Sequence, residues 1–167
     1  ICFPILLGNP DRINRQAQRL KLDLAGIEII DMRADKEQGR RATYAKHLAE
    51  KMARKGYTFQ EAYDKMYERN YFGMMMVERG DADAFITGLY TKYSNTIKVA
   101  TEVVGVREGY HTFGTMHIVN SQKGTFYIAD TLINRHPDNN YLVDIARLSA
   151  NTVEFFNEKP VMAMISY

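Results

Sequence analysis

Apolar residues along this chain recur with two periods, and the switches between them outline its elements. "FPILLG" is a short apolar run closed by Gly8, the pattern of a buried strand. In "NPDRINRQAQRLKLDL", Asn9 stands as a cap and Pro10 at the first helical position, with apolar residues following at helical spacing. "GIEIID" reads as a second strand with alternating isoleucines. Strand, helix and strand within about 30 residues predict a βαβ unit and a parallel sheet.

A long amphipathic helix is predicted from Lys36 to Lys55, stopped by Gly56. Thr58 and Glu61 form a capping box that opens a helix over "TFQEAYDKMYER". "YFGMMMVERG" is a further helical stretch ending at Gly80, and its Met74-Met75-Met76 cluster reads as core filling rather than a cofactor box. "DADAFITG" restarts the strand signal and ends at Gly88. The loop "LYTKY" then leads into "YSNTIKVATEVVG", where Ile97, Ala100, Val103 and Val104 sit at helical spacing. "HTFGTMHIVNS" and "GTFYIAD" are β-rich runs separated by "QK", most simply a hairpin. "NNYLVDIARLSANTVEFFN" is a helix, and "KPVMAMISY" reads as a final buried strand. The predicted fold class is α/β, a mixed, mostly parallel sheet flanked by helices. A β-hairpin interrupts the alternation near residue 109, where "REGY" is read as a crossing between a first lobe (1–108) and a second (109–167). Ligands of open α/β sheets sit beyond the carboxyl ends of strands, which points to Gly8-Asn9, Asp31 to Arg33 and Thr87 to Asn95.

Charge narrows the partners. A net charge of +2 and a pI near 8.6 lie too close to balance to imply nucleic acid or a membrane surface. The densest basic stretch, "GRRATYAKHLAEKMARKG", carries helical periodicity and reads as a solvated helix face. Cys2 is the single cysteine, which excludes an internal disulfide and a cysteine-based zinc site; it is expected as a small buried hydrophobe. Nine methionines beside one cysteine suit a reducing cytoplasm. No apolar run approaches the roughly 20 residues of a bilayer crossing. Both ends lie inside apolar runs, so the chain is read as an interior piece of a longer protein.

The foremost candidate site is Thr87 and Gly88 with Ser94, Asn95, Thr96 and Lys98. A strand end, a polar loop and a helix N-terminus can cradle a phosphate through N–H groups and hydroxyls, with Lys98 adding a point charge. On spacing alone, ordinary N-capping by Ser94 or Asn95 beside a solvated Lys98 is the simpler account. Neither a Walker sequence nor a G-x-G-x-x-G run is present. His111 and His117 fall on one face of the expected strand and could meet a metal, although exposed strand histidines are far commoner. Asp81 and Asp83 fit turn chemistry better than a catalytic carboxylate pair, and any pairing of Arg79 with them would contribute little. Asp130, at the end of "YIAD" with Thr131 and Asn134 close behind, is a second polar group at a strand end, read first as structural.

The run "YFGMMMVERGDADAFITGLYTKYSNTIKVATEVVGVREG" resembles the phosphotransacetylase family, as do "FYIADTLIN", "DIARLSANTVEFF" and "PVMAMISY" in the same order. The resemblance spans essentially the whole chain. "GNPDRI", "RNYFGMMMVERGDADAFITG" and "YSNTIK" look most like the phosphotransacetylase-like domain at the C-terminal end of large bacterial malic enzymes. That resemblance implies a fold like phosphotransacetylase and isocitrate dehydrogenase, and a parent that oxidatively decarboxylates malate to pyruvate. The parent would use NAD or NADP and a divalent metal, Mg or Mn, none of it held by this piece. The piece itself would be catalytically silent, a regulatory and oligomerisation domain of a cytoplasmic homo-oligomer. Its partner would be acetyl-CoA or a related anionic metabolite, bound near Thr87, Gly88, Ser94, Asn95, Thr96 and Lys98. In the family, the stretch matching "SNTIK" reads Ser-Asp-Thr, an apolar residue, then an arginine that engages phosphate; here Asn95 and Lys98 occupy the Asp and Arg positions. A second family arginine aligns with Met52, with Arg54 two residues on. The alternative implied by the same resemblance is a working phosphate acetyltransferase.

Overall fold

A computed structural model describes residues 2–165 except Tyr90, Leu132 and Arg135. Two compact units divide the chain, Ile1–Gly105 and Val106–Tyr167.

In the first unit the expected βαβ opening forms. β1 (Ile5–Leu7) pairs in parallel with β2 (Glu28–Ile30), Leu6 opposite Ile29, and α1 (Pro10–Arg19) connects them. The Asn9 side chain accepts from Arg12 N at 3.1 Å, closing the start of α1. A 3-10 turn at Asp35–Glu37 leads into α2 (Gln38–Lys51), and a second at Ala53–Lys55 ends on Gly56 at φ 79°, a left-handed stop that glycine tolerates. Both halves of the Thr58–Glu61 capping box are made at the start of α3 (Phe59–Lys65). α4 (Arg69–Glu78) is buried along most of its length, and Met74, Met75 and Met76 are core residues as expected. α5 (Tyr93–Val103) completes the unit. The core joins Ile30 and Met32 to Tyr44, Ala45 and Leu48 of α2, Ala62 of α3, the buried face of α4, and Val99 and Val103 of α5.

Buried polar groups tie this core together. Arg41 is 2% exposed; its Nη1 donates to the carbonyls of Met32 and Ala34, each at 2.7 Å, while its guanidinium lies 4.6 Å from the Tyr67 ring centre. The chain after β2 is therefore pinned from α2. The Tyr44 hydroxyl donates to Asp81, giving that residue a turn-holding role, and burial followed by this bond pushes the phenol's pKa upward. Lys51 Nζ donates to the Val104 carbonyl at 2.9 Å and pairs with Glu78 at 2.7 Å, which closes the C-terminus of α5.

The second unit holds the expected hairpin. β3 (Met116–Ser121) and β4 (Gly124–Ala129) are antiparallel, with Met116 opposite Ala129 and the turn at residues 122–123. α6 (Asn139–Phe155) begins at Asp138, whose carboxylate accepts from Tyr141 N at 2.9 Å. Asp144, on α6, accepts from the His111 backbone N–H at 2.6 Å and lies 3.1 Å from its ring Nδ1.

Several expectations are corrected. One mixed, mostly parallel sheet was expected; the described residues form two separate two-stranded sheets, one parallel and one antiparallel. "DADAFITG" and "KPVMAMISY" form no strand among the described residues, and Ser166 and Tyr167 at the latter's end lie outside them. A strand is stabilised by its ladder, and these segments, with Ile86 and Ile165 almost fully exposed, have no neighbour to pair with. Cys2 is exposed rather than buried. His111 precedes β3 and is held by Asp144, so it does not share a strand face with His117. Among the described residues no group of three or more His, Cys, Asp or Glu is placed to hold a metal, and no helix is long and apolar enough to cross a membrane.

Candidate functional site

The first unit carries two neighbouring polar regions. One surrounds the start of α5. That helix begins at Tyr93 with Lys92 as its cap residue, and no side chain caps it. Ser94, Asn95 and Thr96 therefore lie inside the first turn, not at the capping position that spacing alone favoured. An uncapped first turn leaves backbone N–H groups free and a partial positive charge, the setting in which anions bind. Thr96 Oγ1 lies 3.2 Å from Thr91 Oγ1, which ties the preceding loop to the helix. Thr87 donates from its hydroxyl to Asn70 Oδ1 at 2.8 Å, so this loop is also fastened to the first turn of α4. Gly88 follows at φ 132°.

Lys98 lies one turn further on, exposed, with its ammonium 3.9 Å from Glu102 Oε1. Glu102 itself is buried, and its other oxygen accepts from Tyr57 at 2.8 Å and Tyr71 at 2.5 Å. Burial alone would raise this carboxyl's pKa, but the hydroxyls of Tyr71 and Tyr57, with Lys65 and Lys98 nearby, hold it below the usual carboxylate range. The same contacts act oppositely on the phenols: burial, then the bond to Glu102, pushes Tyr57 up to about 12 and raises Tyr71 as well. Met52, expected to stand at the family's second arginine, is buried in the core at the end of α2, whereas Arg54 in the following turn is exposed.

The second region is a cleft of about 1130 Å³ at the carboxyl ends of β1 and β2. It brings Gly8-Asn9 together with Asp31 to Arg33, two of the three places that the strand-end rule indicated. From the third, among the described residues only Thr91 reaches it; Thr87, Gly88, Ser94, Asn95, Thr96 and Lys98 do not line it. Of its four arginines, Arg33 closes the indicated Asp31 to Arg33 span, whereas sequence reasoning missed Arg12 and Arg15 on α1 and Arg69 on α4. Their only sequence signal was proximity to strand ends and helix starts.

Comparison with known proteins decides the family. The family model described as "Phosphate acetyl/butaryl transferase" matches residues 1–167. The chain belongs to this family. Over 98% of its length it is 30% identical to the phosphate acetyltransferase of Bacillus subtilis, covering 50% of that protein, and 34% identical to the NADP-dependent malic enzyme of Escherichia coli, covering 22% of that one. Among solved structures, the EutD phosphotransacetylase from Staphylococcus aureus superposes with a TM-score of 0.78 at 26% identity, over 94% of this chain and 46% of that one. The chain thus spans at most about half of these relatives.

These matches overturn two expectations, that the segment is a catalytically silent accessory and that its identity is that of a malic-enzyme oxidoreductase. The chain follows the fold of a solved phosphotransacetylase over nearly its whole length, and phosphate acetyltransferases from several bacteria match along nearly the full chain. The blocks that suggested a malic-enzyme parent also match phosphotransacetylases, so they indicate the fold and not an attached redox module. At the position where the resemblance implies an arginine, the Lys98 ammonium keeps the full charge, and lysine serves as a phosphate ligand elsewhere.

Proposed function

We propose that this chain is part of a phosphate acyltransferase that moves an acetyl group between CoA and phosphate. In that reaction a phosphate oxygen attacks the thioester carbonyl; a C–O bond forms, the C–S bond breaks, and the CoA sulfur leaves with the electron pair. The residues in hand would serve the anion. Backbone N–H groups of the uncapped first turn of α5, the side chains of Ser94, Asn95 and Thr96, and the Lys98 ammonium would hold phosphate, with Thr87 and Gly88 fixing the approach loop. Glu102 would keep Lys98 on this face of the helix. Self-association of the chain belongs to the same reading.

The observation that carries the proposal is the match of residues 1–167 to the acyltransferase family, supported by the likeness to a solved phosphotransacetylase. Full-length protein should form acetyl phosphate from acetyl-CoA and phosphate. Lys98→Ala should raise KM for phosphate by about tenfold, the scale of losing one charged hydrogen bond. Malate-dependent reduction of NADP without acyl phosphate formation would sink the reading.

A further inference from the structure

A lysine stem is a poor way to hold a charge still, because its four methylenes rotate freely in solvent and fixing them opposes binding. The Lys98 side chain is 66% exposed, yet its ammonium stands 3.9 Å from Glu102 Oε1, one turn along α5. Glu102 is itself fixed from outside that helix. It is 7% exposed, and its Oε2 accepts the hydroxyls of Tyr57, ahead of α3, and Tyr71, on α4, at 2.8 and 2.5 Å. Lys65, the last residue of α3, sets the direction of this chain. Its ammonium donates to the Tyr71 oxygen at 3.0 Å and lies 4.5 Å from the ring centre. An ammonium can only give protons, so the single hydroxyl proton of Tyr71 goes to Glu102. Two phenols thus occupy Oε2. Among the described residues Oε1 makes no hydrogen bond and has Lys98 as its one cation within 4.0 Å.

We propose that Tyr57 and Tyr71 are positioning residues for phosphate binding, acting through Glu102 to set where the Lys98 ammonium stands. This role rests on the reading of the α5 turn as the phosphate site, and it adds to that site two side chains that do not touch the ligand. Ser94, Lys98 and Glu102 recur every four residues and form one row along α5, with their Cβ atoms tilted toward its first turn. Held by Glu102 at one end of this row, the ammonium keeps two further N–H groups for an anion at the other. Glu102 is an anion too and repels phosphate. It stands one turn further from the helix start than Lys98, however, and the two phenols draw its charge toward Oε2. Burial alone would raise its pKa, but these hydroxyls, with Lys65 and Lys98 nearby, keep it below the usual range, so the counter-charge for Lys98 persists.

Full-length protein would be titrated calorimetrically with inorganic phosphate, and acetyl phosphate formation followed in parallel. Tyr71→Phe, Tyr57→Phe and Glu102→Gln should each weaken phosphate binding about three- to fivefold, the scale of one partly exposed ion pair. KM for phosphate should rise by the same factor, with kcat changed by less than about twofold. In a Lys98→Ala background all three substitutions should leave phosphate affinity unchanged, because the residue they act through is gone. A merely structural role would cost the same with or without Lys98 and would lower kcat as well. Should Glu102→Gln fail to fold, the two tyrosine variants, which keep the carboxylate, carry the comparison. Equal losses in both backgrounds, or no loss in any variant, would overturn the tyrosine role and leave the acyltransferase reading standing. Absence of saturable phosphate binding, or affinity unmoved by Lys98→Ala alone, would overturn it whether or not acetyl phosphate forms. Coupling through Lys98 in a protein that forms no acetyl phosphate would keep the tyrosine role and reject the acyltransferase.

Discussion

Gly73 shows how one missing methyl group connects the core to the candidate site. A Cβ at this position would overlap the Phe85 ring, lying 2.7 Å from both Cδ2 and Cζ. Phe85 is packed against the core cluster two residues before Thr87, whose hydroxyl is bonded to Asn70. Gly73→Ala must therefore push the ring away and drag the loop with it. Overpacking of this kind costs about 1–3 kcal/mol, which chemical denaturation should register. Adding Phe85→Ala should recover part of that loss, because it vacates the space the new methyl needs. An additive double variant would mean that the two residues do not touch. Nothing in the sequence announced this contact. Gly73 sits in a helical run where its role is set by a loop that returns later, whereas Asn9, Thr58 and Glu61 were legible because their partners lie within three residues.

At the scale of elements, a polar join at Glu102 accompanies the apolar core. One oxygen of this buried carboxylate on α5 takes the hydroxyls of Tyr57, ahead of α3, and Tyr71 on α4, so three segments meet at one charge. Its folded-state pKa is depressed, so it contributes stability above the usual carboxylate range and loses it as pH falls through the folded value. Glu102→Gln should be less stable than wild type at pH 7 by about 1–3 kcal/mol, the scale of hydrogen bonds to a charged group. The gap in melting temperature should narrow as pH falls below the usual carboxylate range and close once it has passed the depressed folded value, where the wild-type carboxyl is itself neutral. A gap independent of pH would assign the effect to packing instead of charge. Helices and hairpin were readable from periodicity because each satisfies most of its own hydrogen bonds. The segments "DADAFITG" and "KPVMAMISY" carry strand-like composition, but a strand exists only against a neighbour, and composition cannot supply one. The arginine cleft was illegible for a related reason: its members share a place only after β2 and α4 have packed.

Across the whole molecule, apolar burial is distributed unequally. The first unit gathers its core from both β1 and β2 and from four helices, with Leu48, Ala62, Met66, Phe72, Met75 and Val103 fully enclosed. In the second unit Ile145 is the one core apolar side chain among the described residues, and the hairpin leaves Ile118, Val119, Phe126 and Ile128 each about half exposed. Local opening is cheapest where few apolar contacts must be broken. Hydrogen exchange on the 167-residue chain should therefore show its slowest amides in α2 and α4, at protection close to that of global unfolding. Amides of β3 and β4 should exchange faster by at least about a hundredfold, some 2.7 kcal/mol less protection. In the full-length protein the hairpin should gain protection if further chain or a second copy covers its apolar face. Hairpin amides as slow as those of α4 in the 167-residue chain would show that this unit carries stability its burial does not explain, and the uneven distribution would then fail as the account of how the molecule is held together.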